Sequence, residues 1–442
     1  MENEREGISR RSFIKGLGAS LALGSISSFT TFAQNSSKLT VWTAPLGATQ
    51  AENRYYNSMA KKFKEKTGTD VKVTSIPWSG IWQKYLAASS AKKLPDILWM
   101  PASWAIRLNQ DGHLLPLSDT MNSIGGSDAF YNADWFYYQG EYWAIPVVRN
   151  PRICLYRKDL LEEVGYNHAP RTWEELEEVS KALMEQTNVY SATAFLFNSE
   201  VRTTDQHIFS FVVQGGGQIL DKEGNVDFDS PGTREAYKFY TDLLFKGYNP
   251  RDSLGWTEES QFLDLIKAKQ SAITFGMPGN AIALKNTLPQ ERFDKLGFAP
   301  FWKGPSGRSG SFGANDGWAV SNYSDTPELA KEFIRMVFEE DNLIEWFKAV
   351  SMLPPLKRMA NNQELKEHFK EYKFYDAAIK QLPSVARFNY RYSKPTLAAA
   401  DVEDNHVLAD ALNDIVLDDM PVGEAVKKAH GRIVKLYEKY RT

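Results

Sequence analysis

The sequence predicts an α/β chain of two domains, on three observations. Strand-like and helix-like segments alternate from Lys38 onward, the chain is long, and an extended, proline-bearing segment at 144–157 (AIPVVRNPRICLYR) divides two alternating regions. Alternation of this kind implies a parallel sheet with right-handed crossovers. Of the 442 residues, about 400 remain after the amino-terminal stretch is set aside, more than one hydrophobic core usually serves.

Each element follows from local chemistry. Residues 39–42 (LTVW) read as a strand. Thr49 and Glu52 have the T-x-x-E spacing of a capping box. The helix they open ends in Lys61, Lys62, Lys64 and Lys66 before Gly68, and basic residues there suit the helix dipole. Residues 71–73 alternate as a strand, Ser79 can cap a helix running to Lys93, and 95–100 (PDILWM) reads as a buried strand. Thr172 and Glu175 repeat the capping box. Ser230-Pro231 opens a helix that Gly247 closes, with proline at the first helical position. Residues 271–275 are strand-like, a glycine-rich stretch occupies 304–317, and Thr326-Pro327 starts another helix. The last hundred residues read as mainly helical and end in an amphipathic run from Val422 to Tyr440.

The first 33 residues read as an address rather than as fold. Arg5, Arg10 and Arg11 precede an apolar run at 16–29 that is too short to span a bilayer, and small residues lead to Ala33. Within it, Ser9-Arg10-Arg11-Ser12-Phe13-Ile14-Lys15 resembles the twin-arginine export signal, with the twin-arginine translocase as the implied partner. Cys154 is the only cysteine and lies far from this stretch, so no lipobox cysteine is available. The mature chain is expected to be a soluble periplasmic monomer.

Composition narrows the function classes. With 52 basic and 55 acidic residues the formal charge is −3, which gives no basic stripe for nucleic acid. No later run of 18 apolar residues suggests a membrane span. A single cysteine cannot form an internal disulfide, so packing must hold the fold. Aromatic residues reach 13%, with 12 Trp. Such rings serve either as core or as flat platforms with a polar handle.

Several short stretches, in order, resemble the family-1 extracellular solute-binding proteins of ABC importers, the carbohydrate-binding group that includes maltose-binding protein. They are Leu39-Thr40-Val41-Trp42, Leu94-Pro95-Asp96-Ile97-Leu98-Trp99, Asp111-Gly112-His113-Leu114-Leu115-Pro116-Leu117 and Ala144-Ile145-Pro146. Leu155-Tyr156-Arg157-Lys158-Asp159-Leu160-Leu161 and Pro170-Arg171-Thr172-Trp173-Glu174-Glu175-Leu176 follow. Phe262-Leu263, Ala272-Ile273-Thr274-Phe275-Gly276, Trp318-Ala319-Val320 and Ala330-Lys331-Glu332-Phe333-Ile334 complete the series, which spans nearly the whole mature chain. The resemblance implies a two-lobe periplasmic-binding-protein fold with discontinuous lobes and a ligand cleft between them. The implied division is 38–148 plus 279–322 for the first lobe, and 149–278 plus 323–442 for the second. It further implies carbohydrate delivery to a membrane permease, with closure by hinge bending and no cofactor.

In open parallel sheets, ligands lie beyond the carboxyl ends of the strands. That rule nominates Trp42 and Thr43 after the first strand and Trp78 after the second. Around the third it nominates Asp96, Trp99 and Trp104, and after a later one the stretch holding Met277 and Asn280. Aromatic rings can cover the C–H face of a sugar, while carboxylates, amides and guanidinium groups bond its hydroxyl rim. Trp256 stands in a polar loop, Asp316 and Trp318 where the glycine-rich stretch re-enters the sheet, and Arg149 and Asn150 on the crossing segment. Arg387, Asn389, Tyr390 and Tyr392 form a further polar-aromatic cluster. Trp42 and Trp99 suit a core equally well, and the spacing of Trp82 and Tyr85 favours packing against the sheet.

Other classes fit less well. A periplasmic glycan-processing enzyme needs two opposed carboxylates, and no acid–base motif, H-E-x-x-H, G-x-S-x-G or Walker loop occurs. The chain is therefore read as a binding protein without catalytic residues. Six scattered His and one Cys do not suggest a zinc site. A ferric-ion or polyamine receptor of related fold could use Tyr55-Tyr56 and Tyr137-Tyr138, and a receptor serving a sensor would read the same way.

Overall fold

The computed structural model describes residues 38–46, 49–258, 261, 270–350, 352–388 and 396–440. Arg10 and Arg11 of the expected export signal lie outside them, as do Asn389, Tyr390 and Tyr392.

The predicted alternation forms. β1 (Lys38–Thr43), α1 (Thr49–Thr67), β2 (Asp70–Ser75), α2 (Trp78–Ser90), β3 (Ile97–Pro101) and α3 (Ala102–Gln110) follow in order. β1 pairs in parallel with both β2 and β3. Gly68 stops α1 at φ +76, a conformation that glycine adopts without a Cβ clash. Glu52 accepts from the Leu46 backbone N–H at 3.0 Å and so ties the preceding loop to α1.

The segment singled out at 144–157 becomes β4 (Ile145–Pro151) and β5 (Ile153–Arg157), which carry the chain from one sheet to the other. β6 (Ser191–Thr193), β7 (Ser271–Gly276) and β8 (Leu296–Ala299) join β5 in the second sheet, in the order β8-β5-β7-β6. α4 (Trp173–Gln186) is capped as predicted, its Thr172 side chain accepting from Glu175 N–H at 3.2 Å. α5 (Arg202–Gly215) and α6 (Pro231–Phe245) pack beside that sheet, and Ser230 caps α6 through Thr233 N–H.

The return crossing is β9 (Ser311–Val320). It runs antiparallel to β3, bringing Trp318 opposite Trp99, and antiparallel to β4, bringing Asn315 opposite Arg149. The register slips between Asp316 and Gly317, and a Cβ on Gly317 would lie 2.6 Å from Ile145 O. Only glycine lets the two crossings approach so closely. β10 (Val385–Ala386) pairs in parallel with the start of β9.

Two hydrophobic cores result. In the first, Trp99 meets Trp318 edge-on at 5.1 Å, and Trp346 of α9 (Glu340–Val350; α7 is Pro278–Thr287 and α8 Pro327–Val337) closes over them at 5.8 Å. In the second, Phe195, Phe211, Tyr240, Phe275 and Trp302 interlock. α10 (Leu397–Asp404), α11 (Val407–Val416) and α12 (Val422–Glu438) pack there as well. The packing differs from the sequence division at two places. β8, assigned to the first lobe, hydrogen-bonds to β5 in the second sheet. Buried residues from Ala330 to Leu382, assigned to the second lobe, are continuous with the first core. The return crossing is β9; before it, Ala281, Leu284, Phe293 and Leu296 pack in the first core, whereas Phe275, Phe301 and Trp302 on either side of them pack in the second.

Candidate functional site

Between the cores, two walls of different chemistry face each other. The first is built where β1 ends and where α2 and α3 begin. Trp42 lies parallel to Tyr85 at 6.0 Å with Lys84 Nζ 4.5 Å from its ring centre. Trp104 stacks on Trp82 at 4.8 Å and meets Trp78 at 6.2 Å and Tyr85 at 6.0 Å. These separations are those of favourable ring pairs. Trp78 stays 40% exposed, held by an Nε1–H bond to Pro45 O at 2.8 Å. Tyr85 is buried and donates to Trp99 O at 2.6 Å, which anchors the array to β3.

The second wall is ionic. Arg202 at the start of α5 pairs with Glu403 of α10 at 2.9 Å, and Arg387 approaches the other Glu403 oxygen at 3.4 Å. Both guanidinium groups also donate to Ser103 Oγ at the start of α3, at 3.4 and 3.1 Å. The Arg202 guanidinium lies 5.4 Å from the Trp104 ring, so the two walls touch. Burial alone would raise the Glu403 carboxyl, but Arg202 and Arg387 outweigh it and hold it below the usual range.

The crossing strands form the floor. Arg152, just past β4, donates to Gln206 Oε1 and lies 3.8 Å from Glu258, which accepts from Thr203 Oγ1 at 2.6 Å. Asn150 Nδ2 reaches Met277 Sδ at 2.7 Å and Met352 Sδ at 3.8 Å. Asp316 is buried on β9 beside the first residues of α3, opposite Pro101. Burial pushes its carboxyl up to about 6, while Arg387 and Arg202 pull it down and Glu403 adds to the rise.

The expected site residues therefore divide. Trp42, Trp78 and Trp104 belong to the ring array, Asn150 meets Met277, and Asp316 is within electrostatic reach of Arg202 and Arg387. Asn280 contributes indirectly, its Oδ1 accepting from Met277 N–H at 2.8 Å. Trp256 is half-buried beside the floor, its carbonyl accepting from Asn198 and its chain leading directly to Glu258. Trp99 and Trp318 are core residues, with 0% and 1% exposure. Thr43 is turned into the core against the Tyr56 hydroxyl at 2.9 Å. Arg149 points to Tyr131 and to Leu382 O, and burial draws its guanidinium below the ordinary range. Asp96 sits at the amino end of β3, away from the cleft. It accepts from Thr40 N–H at 2.8 Å and Ser324 Oγ at 2.5 Å, so it fastens the sheet.

Ser103, Arg152, Arg202, Gln206, Glu258 and Glu403 were not anticipated. Arg152 had a readable signal, because in extended chain it shares a face with Asn150 two residues earlier. For Arg202 and Glu403 no local pattern marks the pair, which is 201 positions apart.

Among the described residues no helix is long and apolar enough to cross a membrane. The family model for bacterial extracellular solute-binding protein matches residues 58–371. Relatives include the maltodextrin-binding protein MdxE of Bacillus subtilis, 24% identical and covering 68% of this chain and 70% of that protein. The arabinooligosaccharide-binding protein of Halalkalibacterium halodurans is 24% identical and covers 79% and 78% respectively. Among solved structures, maltose-bound T. maritima MalE3 aligns with a TM-score of 0.76 at 20% identity, over 90% of this chain and 99% of that one. At that identity the likeness is one of fold.

Proposed function

The chain belongs to the bacterial extracellular solute-binding protein family and has its two-lobe fold, and from that footing we propose that it binds a carbohydrate in the cleft and delivers it to the permease of an ABC importer. One observation carries the choice of ligand class. Buried donors without hydrogen-bond partners among the described residues (Arg152 Nε and Nη1, Arg387 Nη1, Trp104 Nε1) stand among equally unpartnered acceptors, Glu258 Oε1 and Asn150 Oδ1. A buried polar atom left unsatisfied costs about 1–3 kcal/mol, so such atoms point to a missing partner. A hydroxyl both donates and accepts. A polyhydroxylated ring satisfies the mixture, and its C–H face suits the adjoining array of rings.

The lobes in this reading are about 38–150 plus 281–296 and 313–382, and about 151–276 plus 299–312 and 383–440, following the two cores. The export reading stands beside it: a twin-arginine leader, a soluble periplasmic monomer, and precursor trapped in the cytoplasm when Arg10 and Arg11 are both replaced by Lys. A thermal-shift screen of the mature chain against maltose, diacetylchitobiose, arabinotriose and laminaribiose tests the function. A saccharide at 100 times its dissociation constant adds about 2.7 kcal/mol of stability. The same saccharide should be recovered chemically unchanged. Repeated conversion to product would make the cleft an enzyme's, and indifference to every saccharide would remove the carbohydrate reading.

A further inference from the structure

Nine of the ten methionines lie among the described residues, and six of the nine are at most 4% exposed. Met184 and Met420 are half-buried and lie against the second core. Met277 is half-buried as well, but its sulfur meets an amide, Sδ accepting from Asn150 Nδ2 at 2.7 Å. Met352 Sδ stands 3.8 Å from the same nitrogen, and Met352 is buried. The backbone of Met277 is fixed between β7 and α7. Its N–H donates to Asn280 Oδ1 at 2.8 Å, and its carbonyl accepts from Asn280 N–H at 3.0 Å. The thioether is therefore held against Asn150 of β4, whose Oδ1 has no hydrogen-bond partner among the described residues. Cys154 is 0% exposed and offers no competing thiol to a soluble oxidant.

Resting on the carbohydrate reading, we propose that Met277 is an oxidation site that controls the cleft. A peroxide converts its thioether to the sulfoxide, which engages the Asn150 amide and weakens ligand binding. In that step a sulfur lone pair attacks one peroxide oxygen, the O–O bond breaks and an S–O bond forms. Sulfur is oxidised by two electrons, and the departing hydroxide takes the proton from the transferred oxygen and leaves as water. A thioether is only a weak acceptor, whereas the sulfoxide is polar and carries an oxygen. That oxygen emerges beside an N–H already directed at the sulfur, so a weak contact becomes a full hydrogen bond. The amide is then drawn to the sulfoxide, and a polar atom occupies the floor beside the Oδ1 that a ligand hydroxyl would use. Methionine sulfoxide is reducible back to the thioether, so the control is reversible.

The test treats the mature chain with hydrogen peroxide and locates each gain of about 16 Da by peptide mass spectrometry. Dissociation constants are then measured for whichever of maltose, diacetylchitobiose, arabinotriose and laminaribiose binds the untreated chain. Circular dichroism checks that the treated chain stays folded. Met277 should be oxidised ahead of Met184 and Met420, and affinity should fall about tenfold, the loss expected for one well-placed hydrogen bond. Methionine sulfoxide reductases should restore it. Met277→Leu should give the same dissociation constant before and after peroxide. Oxidation of Met184 or Met420 with Met277 intact overturns the inference while the carbohydrate reading stands. So does an affinity that survives the Met277 sulfoxide, or one that peroxide also lowers in Met277→Leu. If none of the four saccharides binds the untreated chain, that reading falls and takes the control of binding with it. Should Met277→Leu fail to fold, the mapped site and the affinities of the treated and repaired wild type still decide.

Discussion

Trp42, Trp78, Trp82, Tyr85 and Trp104 on one wall face Arg202, Arg387 and Glu403 on the other, and different physics holds each wall in place. The rings are seated by contact with the first core, through Tyr85 and Trp99, so each is stabilised by neighbours that would remain if one ring were removed. The charges are held mainly by one another. Glu403 and Arg387 are each only 2% exposed, and ions that deep persist only when paired and hydrogen-bonded. The aromatic wall should tolerate losses one ring at a time. The ionic wall should fail as a unit.

The largest effect tests that claim directly. Glu403→Ala leaves the buried Arg387 and the partly exposed Arg202 without their shared carboxylate and should destabilise the chain by about 3 kcal/mol in urea unfolding. A loss of less than about 1 kcal/mol would mean that Asp316 and Asp404 can take over the pairing. In that case the contrast between the walls would disappear.

Trp78→Ala comes next in size and changes a different quantity. The ring is 40% exposed and should give up little folding stability. As a platform for a sugar face it should cost about 1–3 kcal/mol of binding, read by calorimetry. Trp99→Ala supplies the opposite extreme, about 3–5 kcal/mol of stability lost from the core. Unchanged affinity in Trp78→Ala would take the aromatic wall out of the site.

The same contrast explains what could be read beforehand. The β1–α1–β2–α2–β3 alternation, the caps at Thr172 and Ser230 and the exposed place of Trp78 all depend on neighbours within a few residues, and sequence spacing records those. Trp99 suits core and site equally well in the sequence because a strand tryptophan looks alike whether its neighbour is Trp346 or a ligand. The ionic wall depends on Arg202 and Glu403 meeting across 201 positions, and nothing local records that encounter. The pairing of β8 with β5 and the burial of 330–382 against the first core were unreadable for the same reason. Asp96 misled because an acidic residue beside a strand suits a binding loop, whereas Thr40 and Ser324 already occupy it at the strand's amino end.

The smallest expected effect lies where the walls are fastened outside the rings. α3 carries Ser103 and Arg107 four residues apart, and therefore on one face, toward α10 and the end of the chain beyond α12. Arg107 donates to the Tyr440 hydroxyl at 2.7 Å and pairs with Asp401 at 3.0 Å, while Tyr440 donates to the other Asp401 oxygen at 2.7 Å. Lys439 adds a contact to Asp401 at 3.2 Å. Since α3 belongs to the first core and α10 and α12 to the second, this tie holds only while the lobes are together. Tyr440→Phe removes one hydroxyl and should weaken the closed state by about 0.5–1.5 kcal/mol. A ligand can shift the lobes only by its preference for the closed form, so a weaker tie must be met from binding energy. Saccharide affinity should then fall a few-fold, and the ligand-free radius of gyration from small-angle scattering should rise. An unchanged scattering curve and dissociation constant would make the tie a permanent part of the hinge, and closure would depend on the two walls alone.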